Sequence, residues 1–219
     1  MTRIMALLAL VFVTSCGVPR GGPEQGVRLV AVGDSILAWN RFSGRDIPQL
    51  VSEKTGLPVF NGAISGAVFL GPEGIPTQYP SGAWDWVIVD GGGNDIGSVC
   101  GQPVAERAVL NQLIAPDLGG AYAQFLTTGR QSGARIIIMG YAPISDRGGP
   151  FAACQQTLRE LRVRQERLAN ATAGVFFVDA RDVIRPDDRA AYAIDRVHPT
   201  PYAGNLIAGL IAQVINGAR

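Results

Sequence analysis

The sequence predicts an α/β protein of three layers, with helices on both sides of a five-stranded parallel sheet. Short runs rich in β-branched residues alternate with longer polar or amphipathic stretches, which is the pattern of βαβ units. The chain has 219 residues, 47% hydrophobic and 17% charged, which suits one globular domain with a substantial core. The predicted strands are residues 27–32, 59–61, 86–90, 134–139 and 175–179.

The clearest helical patterns cover residues 155–170 and 201–216. In the second, apolar side chains recur every three or four residues, so one face of the helix packs on the sheet. Thr200 is placed to cap its N-terminus, Pro201 suits its first turn and Gly217 its end. This helix therefore begins just after His198, the only histidine in the chain.

Two stretches rich in glycine and proline, residues 66–82 and 141–150, each follow a predicted strand. Ligands of open parallel sheets bind at the carboxyl ends of the strands, so both stretches are candidate walls of a substrate pocket. Four aromatic residues are candidates for lining an apolar part of that pocket, although ordinary packing is the commoner role. They are Trp39, Tyr79, Tyr141 and Phe151.

The N-terminus has the pattern of a secretory signal. Arg3 precedes an apolar run over residues 4–13, which is shorter than the ~20 residues that a transmembrane helix needs. Val13-Thr14-Ser15-Cys16 resembles a bacterial lipobox, so residues 1–16 are predicted to be a lipoprotein signal peptide with Cys16 as the lipidated residue. Residues 17–26 would form a flexible tether and residues 27–219 the folded domain. Ordinary secretion without a lipid and a buried N-terminal helix are the alternatives.

Lipidation would anchor the domain to a bacterial membrane, on the periplasmic face of the cell envelope. Gly17 after the cysteine provides no aspartate-type retention signal, which slightly favours the outer membrane. Disulfides persist in that compartment, so Cys100 and Cys154 are predicted to form one, with two unpaired thiols as the alternative.

The charge pattern gives no support to a nucleic-acid partner. The formal net charge is +1, and no run of lysine or arginine occurs. Proteins that bind nucleic acid usually concentrate positive charge on one face or segment.

Ser35 follows the first predicted strand, in the sequence Gly33-Asp34-Ser35. A serine at such a turn is either a nucleophile or a helix N-cap. A serine nucleophile needs a base to remove its proton, and the base needs a partner that fixes its tautomer. Asp195 and His198, three residues apart, provide such a pair, although a single histidine is more often structural.

Two further segments contain groups that can stabilise an oxyanion. Asp90-Gly91-Gly92-Gly93-Asn94-Asp95 follows the third predicted strand, and the amide of Asn94 can donate to a developing negative charge. The segment at residues 61–67 follows the second strand and offers glycine N–H groups. Taken alone, each segment can also be an ordinary glycine-rich turn.

Together and in this order, four segments resemble the motif blocks of the SGNH, or GDSL-type, hydrolase family. They are Gly33-Asp34-Ser35, Ile64-Ser65-Gly66, Gly92-Gly93-Asn94-Asp95 and Asp195-x-x-His198-Pro199. The resemblance spans almost all of the predicted domain. It implies a flavodoxin-like sheet of strand order 2-1-3-4-5, with the site at the carboxyl ends of the strands.

The resemblance also implies the role of each site residue. Ser35 would be the nucleophile, His198 the general base and then acid, and Asp195 the carboxylate that orients the histidine. The oxyanion hole would consist of the backbone N–H groups of Ser35 and Gly66 and the side-chain amide of Asn94. Neither a metal ion nor an organic cofactor is required.

Three details bear on how closely the chain follows this family. The choice of Gly66 over Gly62 rests on the match of the Ile-Ser-Gly triplet. Ile36-Leu37-Ala38-Trp39 follows the serine where small or polar residues are common, and Ala67 stands where an aspartate is common in the family's thioesterases and lysophospholipases. These departures leave the chemistry unaffected, and they distinguish the chain from those thioesterases and lysophospholipases.

The sequence thus predicts a serine hydrolase that cleaves carboxylic esters or thioesters of a small molecule, lipid or glycan through an acyl group on Ser35. One alternative is an O-acyltransferase or a deacetylase that acts on envelope glycans. Another is a non-catalytic envelope lipoprotein that keeps the fold as a binding module.

Overall fold

The computed structural model describes residues 22–218. The predicted signal peptide, the lipidation site at Cys16 and the first part of the predicted tether lie outside these residues. Within them, no helix combines the length and the apolar character that crossing a membrane would require.

Five parallel strands form one sheet of order β2-β1-β3-β4-β5, which confirms the predicted topology. Every strand begins and ends within two residues of its predicted bounds, because buried parallel strands are continuous apolar runs. The strands are β1 (Leu29–Val32), β2 (Val59–Asn61), β3 (Trp86–Val89), β4 (Arg135–Gly140) and β5 (Val175–Asp179).

Within residues 22–218, seven α-helices connect the strands or follow the last one, and they cover both faces of the sheet. They are α1 (Ser35–Ala38), α2 (Ile47–Thr55), α3 (Gly93–Gly97), α4 (Pro103–Leu113), α5 (Ala121–Gln131), α6 (Gln155–Asn170) and α7 (Pro201–Gly217). Four short 3₁₀ helices lie in the connections, at Arg41–Ser43, Ile75–Gln78, Ala152–Cys154 and Ala180–Asp182. The helix predicted over residues 155–170 is confirmed, and the last helix begins at Pro201 as predicted.

The core is divided by the sheet into two clusters. Leu29 and Ala31 of β1 pack with apolar residues of α2 and α7, such as Ile207. Val30 and Val32, which point to the other face, pack with residues of α4, α5 and α6. Consecutive side chains of a strand alternate between its faces, so each strand contributes to both clusters and the three-layer architecture follows.

The N-terminus of α7 is capped as the sequence indicates, since the Thr200 hydroxyl accepts a hydrogen bond from the N–H of Ala203. Its C-terminus differs slightly from the prediction. Gly217 still belongs to the helix, and Ala218 is the C-terminal cap. The N-cap fixes the start of α7, and the connection that contains His198 ends at this first turn.

Cys100 and Cys154 form a disulfide with Cα atoms 5.0 Å apart. Cys100 follows α3, and Cys154 is buried at the start of α6. The bond thus ties the segment after β3 to the helix that follows β4.

Loss of this disulfide should lower stability considerably. It joins residues 54 positions apart, and the chain-entropy relation gives a loss of about 4 kcal/mol for a loop of that length. We expect the Cys100→Ala/Cys154→Ala variant to unfold roughly 10 °C below the wild type. Calorimetry with and without reductant measures this. Reductant should lower the melting temperature of the wild type only, and equal melting temperatures for all four samples would contradict the prediction.

Candidate active site

A cavity of about 300 Å³ lies at the carboxyl edge of the sheet. Its lining comes from the ends of β1, β4 and β5, from the segment after β3, and from the loop before α7. Ser35, Asn94, Asp195 and His198 all line it, although they are far apart in the sequence. Gly66, the fifth predicted site residue, does not.

The turn between β1 and α1 exposes Ser35 to the cavity. The N-cap of α1 is Asp34, whose side chain accepts a hydrogen bond from the N–H of Ile36, so the capping alternative for Ser35 is wrong. Ser35 is the first residue of the helix, and neither its hydroxyl nor its N–H has a hydrogen-bond partner within residues 22–218. Both groups are therefore available to a ligand in the cavity.

Gly33 allows this turn to lie close to β3. A Cβ atom at Gly33 would lie 1.7 Å from Oδ1 of Asp90, so no other residue fits without a shift. That same oxygen accepts a hydrogen bond from the N–H of Asp34 at 2.9 Å. The side-chain amide of Gln78 donates to the carbonyl of Gly33 and accepts from its N–H.

A buried polar network supports the turn from below. The hydroxyl of Tyr141 donates to Oδ2 of Asp34 at 2.6 Å and accepts from the N–H of Gly93 at 3.0 Å. Burial raises the pKa of Asp34, and burial together with the neighbouring Asp34 charge raises the pKa of Asp90 well above its usual value. Two carboxyl groups this close oppose each other's ionisation, which adds to the effect of burial.

Asp90 should make the protein less stable as the pH rises. The unfolded chain releases the proton of this carboxyl near pH ~3.9, whereas the folded protein retains it to higher pH. We expect Asp90→Asn, which keeps the oxygen that accepts from Asp34, to gain about 1 kcal/mol at pH 8 and nothing at pH 4. Urea unfolding at both pH values tests this, with Glu53→Gln on the exposed face of α2 as the control. An equal effect of Asp90→Asn at both pH values would contradict it.

Asp195 and His198 interact within one short loop. Nδ1 of His198 lies 2.7 Å from Oδ2 of Asp195, and Oδ1 accepts the N–H groups of Val197 and His198 at 2.9 and 3.0 Å. Arg196 adopts a positive φ of 63°, which turns the loop so that both residues face each other. Partial burial opposes ionisation of Asp195, but the bonds from His198 and Val197 outweigh it and lower its pKa. The carboxylate thus stays charged beside the ring.

Trp39 holds the other side of the imidazole. The rings of Trp39 and His198 stack with centroids 3.8 Å apart and planes 6° from parallel. Asn40, the residue after Trp39, donates a hydrogen bond from its side-chain amide to the carbonyl of Pro199 at 3.1 Å. The stretch after Ser35 and the stretch after His198 therefore fix each other. Sequence reasoning missed this role of Trp39.

Nε2 of His198 is buried and has no hydrogen-bond partner among the residues that the structure describes. Its other ring nitrogen is bound to Asp195, which leaves Nε2 as the nitrogen that can take part in chemistry. His198 lines the same cavity as Ser35, whose hydroxyl is also unpartnered within residues 22–218. A hydroxyl, an imidazole with one unpartnered nitrogen and a carboxylate bound to that imidazole thus occur together, which is the combination that an activated serine needs.

Asn94 lies at the start of α3, after three glycines. Its side-chain amide donates to the carbonyl of Ala67 at 2.9 Å, which fixes the amide and leaves its second N–H free to donate. Asp95, the next residue, accepts hydrogen bonds from the N–H groups of Phe69 and Leu70. The segment after β3 is thus fastened to the segment after β2.

The structure distinguishes the two glycines that follow β2. The N–H of Gly62 donates to the carbonyl of Ala31 at 2.8 Å and is not available. The N–H of Gly66 has no partner within residues 22–218, and Gly66 is exposed with a φ of 79°. It directly precedes Ala67, whose carbonyl fixes Asn94. The role of Gly66 as an oxyanion donor stays a prediction.

Only one of the two predicted walls lines the cavity. Residues of the stretch 141–150 line it, as does Phe151. The stretch 66–82 does not, because Phe69 and Ile75 are buried in the core and Gln78 supports Gly33. Of the four candidate aromatic residues, Tyr141 and Phe151 line the cavity, whereas Trp39 stacks on His198 and Tyr79 packs against Phe125.

Residues 22–218 contain no cluster of three or more His, Cys, Asp or Glu side chains that could hold a metal ion. Besides the serine, histidine, asparagine and their partners, the polar lining of the cavity includes Arg159, Arg162 and Arg181.

Comparison with known families agrees with this geometry. The sequence model of the GDSL-like Lipase/Acylhydrolase family matches residues 31–203, which include the serine, asparagine, aspartate and histidine of the cavity. The chain belongs to the GDSL-like lipase/acylhydrolase family. It is thereby a hydrolase that acts on ester bonds.

Solved structures of GDSL/SGNH type and of carbohydrate esterases share the fold at low sequence identity. Phospholipase A1 from Streptomyces albidoflavus NA297 is 18% identical, with a TM-score of 0.63 over 89% of this chain and 100% of that one. A family 2 carbohydrate esterase with a carbohydrate-binding domain, from Corynascus thermopiles (Myceliophthora fergusii), is 19% identical, with a TM-score of 0.62 over 91% of this chain and 68% of that one. No curated protein sequence matches the GDSL-like chain.

Proposed function

We propose that this GDSL-like protein hydrolyses carboxylic esters or thioesters through an acyl intermediate on Ser35. One observation carries the proposal: Ser35 and His198 line one cavity, the Ser35 hydroxyl and the buried Nε2 of His198 have no partner within residues 22–218, and Nδ1 of His198 is bound to Asp195. The hydroxyl is a weak nucleophile until Nε2 removes its proton, and the Asp195 carboxylate stabilises the imidazolium that forms.

In the first half of the reaction, the Ser35 oxygen attacks the ester carbonyl and His198 takes the hydroxyl proton. The tetrahedral oxyanion then collapses, the bond to the leaving group breaks, and His198 gives its proton to the departing oxygen or sulfur. In the second half, His198 removes a proton from water, which attacks the acyl group. Collapse of the second intermediate releases the acid and restores the serine.

Three donors are proposed for the oxyanion. Ser35 and Asn94 line the cavity, and the N–H of Ser35 and the second N–H of Asn94 have no partner within residues 22–218. The N–H of Gly66 is unpartnered in the residue before Ala67, whose carbonyl holds Asn94. Donors fixed before the reaction stabilise the transition state without reorganisation. The bond from Asn94 to Ala67 provides such fixation.

The pattern of residues 1–16 supports a lipid anchor at Cys16 and a site of action in the bacterial cell envelope, with the outer membrane slightly favoured. A disulfide in the fold is consistent with an oxidising compartment.

The phospholipase and carbohydrate esterase neighbours indicate which substrates to screen first, namely acyl lipids and acylated glycans. Transfer of the acyl group to a glycan hydroxyl instead of water is the alternative reaction at the same serine.

Labelling with a fluorophosphonate probe tests the proposal. We expect the wild type to be labelled and Ser35→Ala to remain unlabelled, because the probe reacts with activated serines. An unlabelled but folded wild type would favour a non-catalytic binding module. Among active samples, incubation with an ester and a sugar acceptor would separate hydrolysis from acyl transfer by the product formed.

A further inference from the structure

The end of the cavity remote from Ser35 is basic. Arg159 and Arg162 on α6 and Arg181 after β5 line it. Strand β5 is three positions from β1 in the sheet, a distance of about 14 Å at the usual strand spacing. The cavity therefore extends from the nucleophile along the edge of the sheet to a group of arginines.

The arginines differ in their pairing. Arg162 donates through Nε to Asp179 at 2.6 Å, and its Nη1 lies 3.1 Å from Glu166, so its charge is matched and its position fixed. Arg159 and Arg181 are exposed, and their side chains form no ion pair or hydrogen bond with any residue of the described range. Two positive charges without a direct carboxylate partner thus stand at this mouth of the cavity.

No acidic group of the cavity lining balances these charges. The acidic residues that line it are Asp34 and Asp195. Asp34 is bound to Tyr141 and Ile36, and Asp195 to His198, all at the catalytic end. Asp182 lies close enough to act on the charge of Arg162 but does not line the cavity.

The lining between the two ends is largely apolar. It includes Met139, Ile144, Phe151, Leu158 and Ile184. An uncharged chain of a substrate can lie against these side chains, since burial of apolar surface is favourable. A ligand that fits the whole cavity would therefore have an ester at one end, an apolar spacer and a negative group at the other.

We propose that the substrate carries such an anionic group, a carboxylate or a phosphate, and that Arg159 and Arg181 bind it. The proposal rests on the proposed function, because the ester is placed at Ser35. The planar guanidinium presents paired N–H donors that match the oxygens of either group. The anion can belong to the acyl part of the ester or to its alcohol part.

Two matched pairs of esters distinguish these sources. For the acyl part, 4-nitrophenyl hydrogen suberate, in which six methylene groups separate the carboxylate from the ester, is compared with 4-nitrophenyl octanoate, in which a methyl group replaces the carboxylate. For the alcohol part, 6-butanoyloxyhexyl phosphate is compared with the corresponding methyl ether, and release of butyrate is measured. Spontaneous hydrolysis is subtracted in each case. The quantity that matters is kcat/KM for the anionic ester divided by kcat/KM for its neutral partner.

In at least one of the two pairs, we expect the wild type to favour the anionic ester by about tenfold or more. In the Arg159→Gln/Arg181→Gln variant, the ratio for that pair should be about tenfold lower than in the wild type. Arg181→Glu should lower it further. Arg107→Gln, which changes an exposed arginine of α4 outside the cavity, should leave it unchanged. Melting temperatures establish that the variants are folded.

The outcomes separate the two proposals. Cleavage of the neutral esters with a ratio near one in both pairs, or with a ratio that the double variant retains, would overturn the arginine site and leave the proposed function in place. Failure of the wild type to cleave any of the four esters would overturn the proposed function, and with it this assignment of substrate.

Discussion

Replacement of Ser35 or His198 by alanine should lower kcat/KM on 4-nitrophenyl butyrate by about four to six orders of magnitude. Without the serine there is no group to accept the acyl chain, and without His198 no base remains, since the chain has no other histidine. The double variant should be no worse than either single variant, because residues that act as a unit are not additive.

The control for this series is Ser52→Ala, which removes a serine hydroxyl from α2 away from the cavity. It should hydrolyse the ester at the wild-type rate. Two results would contradict the assignment of roles: a Ser35→Ala variant that retains more than a small fraction of the activity, or a double variant whose loss is the sum of the single losses.

Replacement of Asn94 by alanine should lower kcat by about two to three orders of magnitude with little change in KM. The amide is held by the carbonyl of Ala67, so its free N–H is fixed before the substrate binds. Stronger interaction with the transition state than with the bound ester affects kcat and not KM.

Asn205→Ala provides the matched control, because it removes an exposed asparagine of α7 that does not line the cavity. The melting temperature of Asn94→Ala should be measured beside its kinetics, since the bond to Ala67 is lost as well. A folded Asn94→Ala variant with kcat within a few-fold of the wild type would show that the amide is not an oxyanion donor.

The sheet could be predicted from the sequence because its strands are short apolar runs that alternate with helical segments. The strand order came from the family resemblance of the motifs, and not from the runs themselves. Among the site residues, Ser35, Asn94, Asp195 and His198 were predicted from the same motifs, and the structure brings them to one cavity. Gly66 was predicted on the same grounds but lies outside the lining.

Other features depend on contacts that local sequence does not encode. Ser35 and Asp34 are both good capping residues, and only the structure shows that Asp34 takes the cap. The stack of Trp39 on His198 joins residues far apart in the chain. Glycine and proline in the stretch 66–82 indicated a loop, but not that Phe69 and Ile75 would bury it in the core.

The arginines of the cavity illustrate the same limit. On the sequence, Arg159 belongs to an amphipathic helix whose other arginines face solvent or ion-pair partners, so nothing distinguishes it. Its position at the mouth of the cavity depends on how α6 packs beside β5.

The central claim, an acyl group on Ser35, can be tested directly by trapping the intermediate. The wild type is mixed with 4-nitrophenyl butyrate, quenched in acid within milliseconds to seconds, and examined by mass spectrometry as the intact protein and after proteolysis. We expect a fraction of the protein to carry one butyryl group, on the peptide that contains Ser35. A butyryl group on a different residue that is lost at the rate of turnover would contradict the account.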